Sequence, residues 1–107
     1  MIATMEREIT IEELIEEIEL QQWEFGCNGF EITECINGKV KKYSLDGLSI
    51  DIEDELFMFY HGENYLEGCF LRMMLSEWIN SVNYERIDNL IHATINTKYG
   101  NVYIKAL

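Results

Sequence analysis

FEITECINGKVKKYSLDGLSID, residues Phe30–Asp51, decides how this chain folds. Asn37-Gly38 and Asp46-Gly47 are dipeptides that accept the positive φ of a two-residue hairpin turn. Asn28-Gly29 precedes the stretch and Glu53-Asp54 follows it, so turn signals recur at steps of 9, 9 and 7 residues. This spacing predicts an antiparallel meander with strands near 22–27, 30–36, 39–45, 48–52 and 55–61.

Side-chain chemistry tests that register. With two-residue loops, Phe25, Ile32, Tyr43 and Ile50 align across four strands, and Cys27, Phe30, Leu45 and Leu48 align beside them. The opposite face collects Glu24, Thr33, Lys42 and Asp51, then Gly26, Glu31, Ser44 and Ser49. A slip of one residue would invert every side chain. Lys41 falls opposite Glu34, and Lys42 opposite Thr33 and Asp51; pairs of opposite sign contribute roughly 0.2–1 kcal/mol each. Lys39, Lys41 and Lys42 are therefore read as internal compensation rather than a nucleic-acid patch.

Upstream lies Thr10–Leu20, TIEELIEEIEL. Thr10 and Glu13 form a capping box, and Ile9 and Leu14 occupy the hydrophobic-staple positions. Ile11, Leu14, Ile15 and Ile18 draw one helical apolar stripe. Glu12, Glu13, Glu16, Glu17 and Glu19 are expected on the opposite face. The pairs Glu12–Glu16 and Glu13–Glu17 repel at i,i+4 by roughly 0.2–0.5 kcal/mol each. Five carboxylates over about 10 Å of helix approach the charge density of duplex DNA, about one per 1.7 Å. Residues 1–8 are expected to be a frayed or short lead-in.

Downstream, LFMFYHG (56–62) reads as an aromatic-rich strand. Tyr65–Val82 carries apolar residues around most of a helical cylinder and is expected to be a central core helix. Residues 84–90 are expected to form a short helical turn, followed by a hairpin of 91–98 with 101–106. A helix extending to residue 96 fits Ile87, Leu90, Ile91 and Ile95 as the alternative. The expected fold class is α+β in one domain: an N-terminal acidic helix, an antiparallel β-meander of four to five strands, a central apolar helix, and a C-terminal β-hairpin packed on one face.

Composition narrows the function. The 107 residues carry a net charge of −12 and no proline. Acid is concentrated early: residues 1–35 hold ten acids against one arginine, and residues 84–107 hold two acids against three bases. Such a field repels nucleic acid and anionic membranes and steers basic partners inward. No apolar run approaches membrane-spanning length, and the N-terminus lacks the basic and apolar regions of a signal peptide. Cys27, Cys35 and Cys69 are an odd set without CxxC spacing, read as buried free thiols. A cytoplasmic location, in a bacterial cell or a phage-infected host, is expected.

No phosphate-binding loop, dinucleotide fingerprint, HExxH, EF-hand or nucleophile elbow is present. His61 and His92 with a carboxylate, the run Asp51, Glu53, Asp54 and Glu55, and a Cys69–His61 dyad are the residue sets with metal-binding or catalytic chemistry. Each reads better as structure or solvated surface, so no catalytic residue, metal or cofactor is expected. The expected site is a protein-binding surface made of Glu12, Glu13, Glu16, Glu17, Glu19, Trp23, Glu24 and Glu31. Its expected partner is a basic, nucleic-acid-binding protein, blocked in the manner of DNA- or RNA-mimic inhibitors of nucleases, restriction enzymes or CRISPR effectors. An immunity protein or antitoxin-like partner of a basic toxin shares these electrostatics. An adaptor domain, acidic only for solubility, and a small enzyme built on His61 are the remaining readings.

Overall fold

The computed structural model describes residues 6–61, 64–65 and 70–107. In chain order these form β1 (Arg7–Ile9), α1 (Ile11–Leu20), a π-helical turn (Gln21–Phe25), β2 (Phe30–Ile36), β3 (Lys39–Leu45), β4 (Ser49–Glu53) and β5 (Leu56–His61). There follow β6 (Asn64–Tyr65), β7 (Met73–Leu75), β8 (Ile79–Ile87), β9 (Leu90–Thr97) and β10 (Gly100–Ala106). Short 3-10 turns at Phe70–Arg72 and Ser76–Trp78 flank β7. The class is mixed α and β, with one α-helix and antiparallel strands in two sheets among the described residues.

The larger sheet runs β1-β8-β9-β10-β2-β3. The smaller has β5 at its centre, with β4 along one side and β6 and β7 on the other. The aromatic strand at 56–61 is thus an interior strand, and its Phe57 and Phe59 are buried.

The β2–β3 hairpin forms as the sequence predicts. Asn37 (φ 52°) and Gly38 (φ 78°) make the turn. The pairs Phe30–Leu45, Ile32–Tyr43, Thr33–Lys42 and Glu34–Lys41 are all in place. Beyond Leu45 the meander breaks. Neither Asp46 nor Gly47 takes a positive φ, and the chain crosses to the second sheet instead of turning back. Tyr43 with Ile50, Leu45 with Leu48, and Lys42 with Asp51 are consequently not cross-strand neighbours. A hairpin does follow, β4 to β5, closed by Asp54 (φ 56°) and Glu55.

The expected strand at 22–27 is a continuation of the helix. Buried Gln21 and half-buried Gln22 sit three and four residues after buried Ile18, which is helical spacing. Gly26 (φ 75°) ends the turn.

The expected core helix at 65–82 is replaced, over its described residues, by turns and strands; residues 66–69 lie outside the description. The expected helical turn at 84–90 is likewise strand up to Ile87, then a two-residue turn of Asp88 (φ 52°) and Asn89 (φ 65°). Val82, Tyr84 and Arg86 are the inward residues of β8. An arginine in that inward set hides the period-2 pattern from a hydropathy reading. The β9–β10 hairpin forms within a residue of the expected bounds. Arg7 and Glu8, expected within the lead-in, join Ile9 as an edge strand paired with β8.

One apolar core joins α1 and both sheets. Across the large sheet, Tyr84, Ala93, Ile104, Ile32 and Tyr43 form one inward row. Ile9, Val82, Ile95, Val102 and Glu34 form the next. Leu14 and Ile18 of α1 are fully buried against this core, each contributing about 1.5–3 kcal/mol relative to exposure. Gly100 (φ 144°) sits where any Cβ would collide with the Cys35 carbonyl oxygen, so β10 approaches β2 only because this residue lacks a side chain.

Candidate functional site

Helix α1 starts with the predicted capping box. The Glu13 N–H donates to Thr10 Oγ1 at 3.1 Å, and the Thr10 N–H donates to Glu13 Oε1 at 3.1 Å. Ile11, Leu14 and Ile18 face the core, while Glu12, Glu13, Glu16 and Glu19 are exposed.

Glu17 departs from the expected anionic face. Its Oε2 accepts from Arg86 Nη2 at 2.6 Å, with side-chain exposures of 21% for Glu17 and 8% for Arg86. The Arg86 guanidinium also donates to Gln21 Oε1 at 2.7 Å and to the Asn89 carbonyl at 3.3 Å. It lies over the Phe25 ring, 4.4 Å from the centroid. Gln21, fully buried, accepts from the Ile91 N–H at 2.8 Å and donates to the carbonyls of Gly26 and Asn89, both at 2.9 Å. A cation at the C-terminal end of a helix also suits the helix dipole. Glu17 therefore fastens α1 and its π-helical extension onto β8 and β9, and its charge is compensated within the molecule.

The π-helical turn sets Trp23 on the outside. Its exposure of 86% makes it the most solvent-open large apolar residue described. The neighbouring Gln22 points the other way. Its Nε2 donates to the Leu48 carbonyl at 2.8 Å, and its Oε1 accepts from the Leu48 N–H at 3.2 Å. One side chain thereby pins the turn to the start of β4.

Between α1, the turn and β4 runs a groove of about 700 Å³. Ile15, Leu20, Leu48 and Ile50 supply apolar lining, Glu16, Glu19, Glu24 and Asp51 supply charge, and Trp23 stands at one side. The structure thus gathers four expected residues, Glu16, Glu19, Trp23 and Glu24, around one concave surface. Glu12 and Glu13 extend the acid along the first turn of α1 without lining the groove.

Glu31 belongs elsewhere. It projects from the outer face of the large sheet, beside Lys105 and Ser44 in the strand register. There it lines a shallow cleft of about 260 Å³ with Glu85 and His92. Sequence reading missed Asp51 and the whole β4 wall, because the meander placed β4 beside β3. The signal available was Gln21-Gln22, two long amides at the end of an amphipathic helix, both of which find backbone partners far along the chain.

The other candidates resolve as follows. Among the described residues, no three of the His, Cys, Asp and Glu side chains gather as a metal site. His61 is exposed, with the Asp46 N–H donating to its Nε2 at 3.4 Å. His92 lies between Glu85 and Lys105 in the register of the other sheet. Cys27 and Cys35 are free and half-buried rather than buried, and Cys69 lies outside the described residues. Glu34, 3% exposed, accepts from the Leu71 N–H at 2.8 Å and is a structural acid. Trp78 stacks on Phe70 at 5.6 Å and meets Tyr99 edge-on at 5.5 Å, so it is committed to internal packing. No described helix is long and apolar enough to cross a membrane.

Compared with protein-family models, with curated proteins and with solved structures, the chain matches none.

Proposed function

We propose that this protein is a non-enzymatic acidic binding protein whose groove between α1 and β4 seats on the basic surface of a nucleic-acid-binding partner, and so blocks that surface. One observation carries the reading. Glu16, Glu19, Glu24 and Asp51 border an apolar groove that has a nearly free tryptophan at its side. A face maintained only for solubility has no need of such a groove or of an unburied indole, and tryptophan is enriched at the energetic centres of interfaces. Carboxylates in such a setting raise the rate of encounter with a basic partner and suppress acidic ones.

Because Glu17 is spent on Arg86, the helix offers a sparser charge array than five evenly exposed acids would. Glu12, Glu16 and Glu19 remain as one exposed line, spanning about 10 Å at 1.5 Å per residue. The proposed mode is therefore occlusion by docking as well as imitation of phosphate charge.

The test is inhibition of cleavage by purified nucleases with basic substrate clefts: a restriction endonuclease, a CRISPR effector and a toxin nuclease. Inhibition of at least one is expected, weakening steeply with added salt. The triple variant Glu12→Lys, Glu16→Lys, Glu19→Lys is expected to lose it while keeping the wild-type circular dichroism spectrum. Full inhibition by that variant counts against the proposal, as does the absence of inhibition across the panel.

A further inference from the structure

Resting on the reading of the groove as a docking site for a basic partner, we infer that the partner enters as an added β-strand: an extended segment, alternating apolar and Lys or Arg residues, pairs with the free edge of β4.

The strand register gives the direction of the backbone groups. The two-residue turn at Asp54-Glu55 closes on the Glu53–Leu56 pair. Hydrogen-bonded and non-bonded pairs alternate along an antiparallel ladder. Glu53, Asp51 and Ser49 therefore bond to β5, and the N–H and C=O of Ile50 and Ile52 point to the opposite edge. Leu48 is in phase with these two. Both of its backbone groups do point away from β5, into the carboxamide of Gln22. Gln22 fills one rung of a ladder as a neighbouring strand would. Among the described residues, no strand or backbone hydrogen bond fills the next two rungs, at Ile50 and Ile52.

The edges of the two sheets are treated differently. Edge strands are commonly blunted by lysine, proline, bulges or shortness. On the large sheet, β1 is three residues long and β3 carries Lys39, Lys41 and Lys42. β4 has neither lysine nor proline, and its five pairs with β5 run without a bulge. Its charges are Asp51 and Glu53, which repel an acidic strand and admit a basic one. Ile52 is 47% exposed beside buried Ile50, leaving apolar surface for the alternate side chains of the incoming strand. Glu16, Glu19 and Glu24 stand across the groove for its cations. In strand addition, main-chain bonds supply affinity and alternate side chains supply specificity.

The probe is a capped nine-residue peptide of alternating valine and arginine, followed by amide hydrogen exchange read residue by residue in the NMR spectrum. Slowed exchange at Ile50 and Ile52, with Asp51 unchanged, is the expected result. Ile52→Pro, which removes an edge-facing N–H at an exposed edge position, is expected to weaken the peptide at least tenfold. Binding without protection at Ile50 and Ile52, or undiminished in a folded Ile52→Pro variant, overturns strand addition while leaving the acidic docking surface standing. Undiminished binding by Glu16→Lys, Glu19→Lys, Asp51→Lys overturns that surface too, as does no binding to the wild type. A concentration-dependent dimer by sedimentation, dissolved by Ile52→Pro, would put a second copy on this edge and overturn the inference.

Discussion

Arg86 Nη2 and Glu17 Oε2 stand 2.6 Å apart beneath the C-terminal end of α1, and this pair converts an acid of the helix face into an anchor. Removing the arginine leaves Glu17 without its cation and takes away one of the two donors to Gln21 Oε1, the Ile91 N–H being the other. Arg86→Met is expected to lower unfolding free energy by about 2–3 kcal/mol, the upper part of the range for hydrogen bonds to charged groups, because the partly exposed Glu17 can still take up water. Glu17→Gln keeps an acceptor for the guanidinium and is expected to cost about 1 kcal/mol. Urea unfolding of both variants checks the order; equal, small losses would show that the network is not what holds α1 to β8.

Trp23 separates binding from stability. At 86% exposure it contributes little to the core, so Trp23→Ala is expected to change unfolding free energy by less than about 0.5 kcal/mol. Loss of an interface anchor costs about 2 kcal/mol or more, roughly 30-fold in affinity. Paired thermal unfolding and titration of an inhibited nuclease read both effects on one sample.

The capping box makes a local prediction. Thr10→Ala removes the acceptor for the Glu13 N–H and is expected to cost about 1 kcal/mol. Thr10→Asp restores an acceptor and is expected to recover most of it, by comparison of urea midpoints.

At Gly100, alanine meets both a positive φ and the Cys35 carbonyl. Gly100→Ala is expected to destabilise by about 2 kcal/mol or more, lowering the melting temperature by roughly 8 °C or more on the scale of about 4–8 °C per kcal/mol. A melting temperature within 2 °C of wild type would refute the close approach of β10 to β2.

The legible parts of the sequence were those governed by neighbours along the chain. The Thr10–Glu13 box, the Asn37-Gly38 hairpin with its full register, and the β9–β10 hairpin depend on contacts a few residues apart, and each formed as read. The illegible parts depend on residues far apart. Whether Asp46-Gly47 reverses a strand or passes to another sheet is decided partly by the bond between Gln22 and Leu48. The strand at 79–87 escaped notice because its inward Arg86 is satisfied by Glu17, Gln21 and Asn89. For the site, the acids and Trp23 were visible as residue types. Their sorting into groove, anchor and outer sheet face required the helix to run on through Gln21 and Gln22.

The strand order carries a consequence for synthesis. β10 lies between β9 and β2, so the β2–β3 hairpin, complete by residue 45, gains its other neighbour only when residues 100–106 have left the ribosome. Until then the inward faces of Phe30 and Ile32 are without that cover, while β8 and β9 close locally through Asp88 and Asn89. Pairing partners some 70 residues apart in the chain are slow to meet, and an open hairpin during that interval is exposed to mispairing. From the emergence of β3 until that of β10, the nascent chain therefore lacks the middle of its principal sheet, and β10 is the strand that closes it.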